Sequence, residues 1–433
     1  MTKKTLPILV ALLLGTFGTL VRAADPLLDV TSYHLRLESD LEAGSIRGSV
    51  VIRFQAPTET DSVVFDAGDL LIEGVEGEQV TGHRKAGQTL VVYRTGSSGK
   101  EEEIRIDYQG RPGRGLYFDP EHGQAYTMYF TSHWMICNDA PEDKALLAVD
   151  LVVPNDKTCV ASGELVKRTD QVGRSVCSYR LSTEAPSYTY GFAIGNFHEA
   201  EAKYQEISLK YYSLNYTPEQ MLDIFRETPA MISFFEEKSG LAYFQTTYTQ
   251  VLTGNFYQEM SGFSTLKDAY GDMVLRDSTE TNLISHEMAH QWWGNRITCK
   301  GWNHFWLNEG MATFLSAAYN EQRFGREVYL ANIRSYQKVY EGIRDRGNDQ
   351  SLVFESWASP SPDDRNLVYF KGAYVMHLLK ETLGEEAFWD AIRFYSRKYA
   401  GKTVETADFQ NALEESSGMD LDEFFNEWVY LKT

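Results

Sequence analysis

Between residues 30 and 200, apolar and polar positions alternate along the chain with a period of two. The alternation is clearest at residues 33–38, 46–54 and 104–108, with Gly- and Asp-containing turns between such segments. Successive side chains of a β-strand point to opposite faces, so a period of two indicates strands with one buried face. The pattern predicts antiparallel sheets with one solvated face.

The pattern changes after about residue 205. Strands are predicted at residues 207–212 and 243–252, and Thr217-Pro218-Glu219 is typical of a helix start, with Thr as N-cap and Pro in the first turn. The sequence therefore predicts an α+β protein with a β domain over residues 24–205 and a mostly α-helical domain over residues 206–433. Predicted helices span residues 218–238, 278–293, 309–323, 326–345, 366–383, 385–399, 405–416 and 420–430.

The first 23 residues resemble a secretory signal peptide. Lys3 and Lys4 precede an apolar run from Leu6 to Val21, and Ala23 supplies a small residue for cleavage. We expect cleavage after Ala23 and a secreted or periplasmic protein of bacterial origin, with no stable membrane insertion afterwards. The alternative is an uncleaved membrane anchor, for which the apolar run is short.

The chain of 433 residues carries a formal net charge of −20, and 43% of its residues are hydrophobic. This apolar content is enough for large cores, and the length suits two domains. An acidic surface repels nucleic acid and anionic membranes, so we expect neither as a partner. The oligomeric state stays open.

The chain contains four cysteines and no C-x-x-C pair, which argues against a cysteine zinc site. Cys159 and Cys177 flank a predicted hairpin, where opposed strand positions in an oxidising compartment could form a disulfide. Both a disulfide and two free thiols remain open for this pair. Cys137 and Cys299 are expected to be free or paired with each other.

His286, Glu287 and His290 form an H-E-x-x-H pattern inside the predicted helix 278–293. A spacing of four residues places both histidines on one helix face, where both imidazoles can reach one metal ion. Imidazole nitrogen is a good ligand for zinc. The alternative is a pair of helix histidines that pack against neighbours or contact solvent.

A catalytic zinc site needs three protein ligands and one open position for water. Glu309 follows His290 by 19 positions, which leaves room for a loop and a second helix beginning near Glu309. Glu287 is adjacent to His286 and is placed to act as a general base and then as an acid toward the leaving amine. We therefore predict one Zn²⁺ per chain, bound by His286, His290 and Glu309.

Four further segments carry recognisable motifs: residues 137–141 (CNDAP), 294–298 (GNRIT), 302–310 (WNHFWLNEG) and 369–373 (YFKGA). Together with the H-E-x-x-H pattern, they resemble the aminopeptidase N family of zinc metallopeptidases, which also includes leukotriene hydrolase. The early strands and the C-terminal residues 417–428 also fit, so the resemblance covers nearly all of the chain after the signal peptide.

The resemblance implies an N-terminal β saddle and a thermolysin-like catalytic domain that hydrolyses peptide substrates. It implies that the hydroxyl of Tyr369 stabilises the tetrahedral oxyanion and that Glu259 binds the free amino group of the substrate. A second amine-binding Glu or Gln of the family corresponds to Thr127 here, so one amine contact is expected to be lost.

The chain departs from the family pattern in two places. Phe256, Gln258 and Met260 replace the usual neighbours of the amine-binding glutamate. Most family members continue into a helical C-terminal domain, whereas this sequence stops at Thr433, so we expect a more open cleft unless a partner subunit covers it. These departures favour, as the first alternative, an endopeptidase or a peptidase of altered specificity.

The leading prediction is a zinc aminopeptidase that hydrolyses peptide bonds at free N-termini. The second alternative, from another class, is a non-catalytic scaffold on the same fold. The intact zinc motif, Glu287 and Tyr369 argue against a scaffold.

Overall fold

The computed structural model describes residues 28–57, 60–95 and 100–431, so the predicted signal peptide lies outside the described residues. Chain contacts divide the described residues into two compact units. The β unit takes in the chain up to residue 230 and residues 242–279, and the helical unit takes in residues 231–241 and those from 280 onward. The domain boundary predicted at residue 205 stays a prediction.

Strands account for most of the chain before residue 267. They are β1 (Asp29–Asp40), β2 (Ser45–Gln55), β3 (Ser62–Asp66), β4 (Leu71–Glu76), β5 (Val80–Ala86), β6 (Thr89–Arg94), β7 (Glu102–Gly110), β8 (Gly115–Asp119), β9 (Gln124–Met128), β10 (Lys144–Pro154), β11 (Thr158–Ala161), β12 (Glu164–Gln171), β13 (Arg174–Arg180), β14 (Ala185–Pro186), β15 (Phe192–Gly195), β16 (His198–Tyr204), β17 (Ile207–Ser213), β18 (Thr247–Leu252), β19 (Gln258–Met260), β20 (Phe263–Leu266), β21 (Thr298–Cys299) and β22 (Thr403–Val404).

Helices dominate the rest of the chain, so the predicted order of a β-rich part followed by a helical part is confirmed. No helix among the described residues has the length and apolar content needed to span a bilayer. The helices are α1 (Pro218–Ile224), α2 (Thr228–Ser239), α3 (Tyr270–Arg276), α4 (Asn282–Ala289), α5 (Trp306–Phe324), α6 (Arg326–Asp345), α7 (Pro362–Asn366), a π-helix (Leu367–Lys371), α8 (Gly372–Leu383), α9 (Glu385–Tyr399), α10 (Thr406–Ser417) and α11 (Asp422–Trp428).

The β unit is built around an eight-stranded sheet in the order β12-β13-β10-β1-β2-β7-β4, with β14 paired to β10. Its strands show the predicted alternation, because Leu35, Leu37, Val50 and Ile52 are buried in one hydrophobic cluster. Burying each such side chain stabilises the fold by about 1.5–3 kcal/mol. Smaller sheets follow the orders β11-β15-β9-β8, β3-β6-β5 and β16-β17-β18-β20-β19.

The large sheet is mostly antiparallel, as predicted, but two of the sheets also contain parallel strand pairs, which the sequence did not predict. Strand β1 pairs parallel with β10, from Ser32 opposite Leu146 to Glu38 opposite Val152, and β18 pairs parallel with both β17 and β20. The alternation of apolar residues reports which face of a strand is buried, and it carries no information on the direction of the neighbouring strand.

Cys159 and Cys177 form a disulfide in the β unit, whereas Cys137 and Cys299 are buried thiols outside any disulfide. The two bonded cysteines do not oppose each other across a hairpin, as the sequence had suggested. Cys177 in β13 faces Arg168 in β12, while Cys159 lies in β11 of another sheet, so the bond joins two sheets. With a sequence separation of 18, the closed loop stabilises the unit by about 3 kcal/mol through the lost entropy of the unfolded chain.

The predicted helix 218–238 is in fact two helices, α1 and α2. Thr217 caps α1 as predicted, in a capping box with Gln220. Pro229 cannot donate a hydrogen bond and its ring clashes with the preceding turn of a continuous helix, so the helix breaks and restarts at Thr228.

The core of the helical unit surrounds α5. Trp306 packs edge-to-face on Phe409 of α10, and Phe314 packs edge-to-face on Phe388 of α9, and all four side chains are fully buried. The bounds of α6 and α9 match those predicted from the sequence. This packing fixes α5 in the centre of the unit, which matters because α5 carries Glu309.

Candidate metal centre

Helix α4 carries the H-E-x-x-H pattern, but it is shorter than predicted. It spans only Asn282–Ala289, and His290 is its C-cap residue. The predicted N-terminal extension is absent because the hydroxyl and backbone N–H of Thr279 both bond to the Asp277 carboxylate instead of entering a helix. His290 keeps helical dihedrals, with φ −59° and ψ −23°, so the two imidazoles still lie on one face.

A tight turn after α4 holds the second imidazole. The Nδ1 of His290 lies 3.1 Å from the carbonyl oxygen of Trp293, so an N–H there donates to the backbone and leaves Nε2 with a lone pair. Gly294 has a φ of +137°, and a Cβ at this position would lie 2.8 Å from that same Nδ1. Glycine is therefore required here by both its dihedral and the imidazole beside it.

Helix α5 brings the third predicted residue to the two histidines. Glu309 lies in its first turn, and its Oε2 is 3.2 Å from the Nε2 of His286 and 3.4 Å from the Nε2 of His290. The two Nε2 atoms are 3.1 Å apart. Ligands about 2.05 Å from a tetrahedral zinc ion are about 3.3 Å apart, so this donor set has the size that zinc requires.

The charge states of Glu309 and His286 also suit a metal. Burial raises the pKa of Glu309, but the nearby histidines outweigh burial and lower it. Burial lowers the pKa of His286. An ionised carboxylate and neutral imidazoles are the protonation states that bind a cation.

Polar contacts between α4 and α5 orient the first imidazole. The Nδ1 of His286 lies 3.4 Å from the hydroxyl of Thr313, and the hydroxyls of Ser285 and Ser316 are 2.8 Å apart. Thr313 was not among the site residues predicted from the sequence. Its position four residues after Glu309, on the same face of α5, was the signal that could have identified it.

Tyr369 lies in the same unit, next to the first histidine. Its ring stacks on the ring of His286, with centroids 5.8 Å apart and planes 18° apart. The sequence predicted a continuous helix over residues 366–383, whereas Tyr369 lies in the π-helix Leu367–Lys371 between α7 and α8. Short π-helical segments occur frequently at functional sites.

Two glycines set how closely α5 approaches the segment that carries Tyr369. A Cβ on Gly310 would lie 2.8 Å from the Cα of Gly372, and a Cβ on Gly372 would lie 2.9 Å from the Cα of Gly310. Because Gly310 follows Glu309 directly, this backbone contact fixes the spacing between the start of α5 and the start of α8.

The β unit carries Glu259, the predicted amine-binding residue, on the edge strand β19. Glu259 is buried, and the neighbouring Gln258 is fully buried. The Gln258 side chain accepts a hydrogen bond from the backbone N–H of Tyr129 at 2.7 Å and donates one to the carbonyl oxygen of Tyr188 at 2.9 Å. Gln258, whose effect was left open by the sequence, therefore anchors the strand that bears Glu259.

Thr127 has a structural role in the β unit. Its hydroxyl accepts a hydrogen bond from the backbone N–H of Phe192 at 2.8 Å and donates one to the carbonyl oxygen of Phe192 at 3.2 Å. The hydroxyl proton is therefore used within the unit, and the side chain carries no charge to pair with an ammonium group.

Comparison with protein families gives two matches. Residues 30–189 match the peptidase M1 N-terminal domain, and residues 225–428 match the peptidase family M1 domain. Together these segments cover most of the chain.

Curated relatives include the alanine/arginine aminopeptidase of Saccharomyces cerevisiae, which is 25% identical over 92% of this chain and 50% of its own length. The tricorn protease-interacting factor F2 of Thermoplasma acidophilum is 23% identical over 92% of this chain and 53% of its own length. The chain thus spans about half the length of these relatives.

Among solved structures, an M1 zinc metallopeptidase of Deinococcus radiodurans matches with a TM-score of 0.80 and 21% identity. The match covers 97% of this chain and 98% of that one. A mutant of that protein bound to a Tyr-Ser-Ala substrate matches with a TM-score of 0.81 and 20% identity. At this level of identity, the likeness shows a shared fold.

The contact between Gly310 and Gly372 leads to a prediction for two glycine substitutions. Gly310→Ala should lower the free energy of unfolding by about 1–3 kcal/mol, because the new methyl group overlaps backbone atoms. As a matched control, Gly342 lies inside α6 with only Arg346 Nη1 near its Cβ position, at 3.5 Å. Gly342→Ala should therefore raise stability by about 0.5–1 kcal/mol. Chemical denaturation measures both, and an unaltered Gly310→Ala protein would contradict the close packing.

Proposed function

Because the chain belongs to peptidase family M1, a family of zinc metallopeptidases, we propose that it is an aminopeptidase that cleaves the first peptide bond of substrates with a free N-terminus. The observation that carries the proposal is the convergence of His286, His290 and Glu309 within 3.4 Å of one another, beside Tyr369. The names of the curated relatives support the aminopeptidase activity.

His286, His290 and Glu309 would hold the zinc ion. A Zn²⁺ ion bound by two neutral imidazoles and one carboxylate would keep a net positive charge. Three protein ligands would also leave one position on the ion open for water or substrate. When bound, zinc supplies Lewis-acid chemistry and makes water a stronger acid.

Glu287 is the proposed general base. It lies next to His286 on α4 and its side chain is buried, yet it is not one of the three converging donors. A carboxylate Oε of Glu287 takes a proton from the attacking water and later gives it to the nitrogen of the leaving amine. One residue thus serves both proton transfers of the hydrolysis.

Tyr369 is the proposed donor to the oxyanion. A neutral phenol fixed by stacking on His286 can donate a hydrogen bond to the carbonyl oxygen as negative charge develops on it. Removing one such donor typically lowers kcat by about 10²–10³.

Glu259 is proposed to bind the free ammonium group of the substrate. Its carboxylate lies on the strand that Gln258 anchors, and an ammonium group is its natural ionic partner. The solved structure of the Deinococcus radiodurans protein with a Tyr-Ser-Ala substrate supports a site for a free α-amino group. Solved structures of a two-domain M1 zinc metallopeptidase mutant with L-tryptophan and with L-arginine support it as well.

A second candidate is an endopeptidase, or an exopeptidase with relaxed selection for the N-terminus. The observation that favours it is Thr127, whose hydroxyl is bonded to the Phe192 backbone and whose side chain is uncharged. With one carboxylate instead of two polar partners, the ammonium group would be held less tightly.

We also propose that the protein is exported and that its mature form begins at Ala24. The Cys159–Cys177 disulfide supports export, since disulfides persist in oxidising compartments such as the periplasm. Expression of the sequence with its leader in a bacterial host should yield periplasmic protein whose intact mass fits a start at Ala24. Unfolded without reductant, it should have two reactive thiols, those of Cys137 and Cys299. A start at Met1 or four reactive thiols would contradict the proposal.

The general-base role predicts the effect of an isosteric substitution. Glu287→Gln should lower kcat by at least about 10²-fold, because the amide cannot accept the proton of water. The zinc content, measured by metal analysis, should stay at one per chain, because Glu287 is not a ligand. As a control for the metal, a chelator should abolish the activity of the parent protein and added zinc should restore it. Undiminished turnover by Glu287→Gln would refute the mechanism.

The amine-binding role predicts a dependence on the charge of the N-terminus. The parent protein should hydrolyse a free peptide much faster than its N-acetyl form, and Glu259→Gln should lower kcat/KM for the free peptide by about 30-fold or more. The matched control is Glu201→Gln, an exposed carboxylate in the same sheet. It should behave like the parent. If the parent cleaves free and acetylated peptides equally well, the endopeptidase candidate replaces the aminopeptidase.

A further inference from the structure

A lysine with no solvent exposure lies at the end of the π-helix that carries Tyr369. Lys371 is one of the few charged residues in the helical unit that are fully buried. Burying an ammonium group costs several kcal/mol unless partners compensate, so its place in the structure calls for an explanation.

The partners of Lys371 come from the segment that follows α6. Its Nζ donates to the Oδ1 of Asp349 at 2.7 Å and to the carbonyl oxygen of Gln350 at 2.9 Å. The ring of Tyr340 lies 5.3 Å from the same Nζ, and its hydroxyl donates to the Oδ2 of Asp349 at 3.0 Å. Both carboxylate oxygens of Asp349 thus accept hydrogen bonds, which hold the Lys371–Asp349 ion pair in one geometry.

The same segment is also bonded to α7, on the other side of the π-helix. Asp363 of α7 accepts hydrogen bonds from Arg346 at 2.6 Å and from Asn348 at 2.7 Å, and Gln350 donates to Asp364. Residues 346–350 therefore contact the chain just before and just after Tyr369.

These contacts matter because a π-helix is strained relative to an α-helix and persists only when its surroundings hold it. In an α-helix each residue turns the chain by about 100°, so loss of the extra residue in this turn would rotate Tyr369 by about that angle relative to α8. The phenol would then no longer stack on His286. The contact between Gly310 and Gly372 fixes α8, which leaves the π-turn as the segment that could relax.

We propose that the buried Lys371–Asp349 ion pair is a positioning device that holds the π-helical turn and thereby aims the Tyr369 phenol at the reacting carbonyl. Lys371 touches neither substrate nor metal in this account, so it is a positioning residue. The inference rests on the proposed function, because that function assigns Tyr369 its role as donor to the oxyanion.

A purely structural role for Lys371 is the competing explanation, and the chain offers a matched control for it. Lys380 lies on α8, the helix that begins directly after Lys371, and it is also buried. It pairs with Glu321 at 3.1 Å and with Glu385 at 2.8 Å, and it lies 4.9 Å from the ring of Tyr329. It lies more than two turns beyond the π-helix. Lys371→Met and Lys380→Met should therefore both destabilise the fold, but only the former should alter the reaction.

The test is a double-mutant cycle between Lys371→Met and Tyr369→Phe, measured with a free aminoacyl peptide. In the parent background, Lys371→Met should lower kcat by about tenfold or more with KM within about twofold, because misplacing a group by about 1 Å can cost 10²-fold. In the Tyr369→Phe background the same substitution should change kcat by less than about twofold, since the group it positions is gone. Metal analysis should give one zinc per chain in every variant, and Lys380→Met should keep the parent kcat.

Three outcomes would overturn the positioning role while leaving the proposed function intact. They are an equal kcat loss from Lys371→Met in both backgrounds, the same loss from Lys380→Met, and a loss of zinc from the Lys371→Met protein. If Tyr369→Phe alone leaves kcat unchanged, the oxyanion role in the proposed function fails and the positioning role fails with it. If the Lys371→Met protein does not fold, Asp349→Asn is used in its place. This substitution keeps the side-chain volume of Asp349 and removes its negative charge, and the same double-mutant cycle is measured with Tyr369→Phe.

Discussion

The helical unit depends on one unfavourable placement, the meeting of two imidazoles and a carboxylate in a buried position. The Nε2 atoms of His286 and His290 are 3.1 Å apart, and the Oε2 of Glu309 lies within 3.4 Å of both. Removing these three groups from water is costly, and a cation between them recovers that cost. The turn at Gly294 and the contact of Thr313 with His286 keep the two imidazoles in place.

The reacting groups around this centre are held by close backbone contacts and by buried side-chain hydrogen bonds. Gly310 and Gly372 bring α5 and α8 together without side chains between them, and the π-helix places the phenol of Tyr369 against His286. Groups that must lie within a fraction of an ångström of a reacting atom are best supported by rigid elements. In the β unit, Gln258 gives the strand of Glu259 similar support through two buried hydrogen bonds.

Those parts of the fold and of the metal site that depend on local sequence patterns could be predicted from the sequence. The spacing of His286 and His290 determines that both imidazoles share a helix face, and period-two segments identified the buried faces of β1 and β2. The parallel pairing of β1 with β10 could not be predicted, because strand direction depends on distant chain connections. The π-turn at Tyr369 was also missed, since it depends on tertiary contacts such as Lys371 with Asp349. The sequence left open whether Cys159 and Cys177 are bonded, and it did not show that Cys159 lies in another sheet.

The most direct test of the account is the identity of the atoms that bind zinc. X-ray absorption at the zinc edge, together with anomalous diffraction from crystals of the zinc-loaded protein, measures the ligand set and locates the ion. The account predicts one ion per chain, about 2.0–2.2 Å from the Nε2 atoms of His286 and His290 and from an oxygen of Glu309. An ion bound elsewhere, or a site that lacks any one of these three ligands, would contradict it.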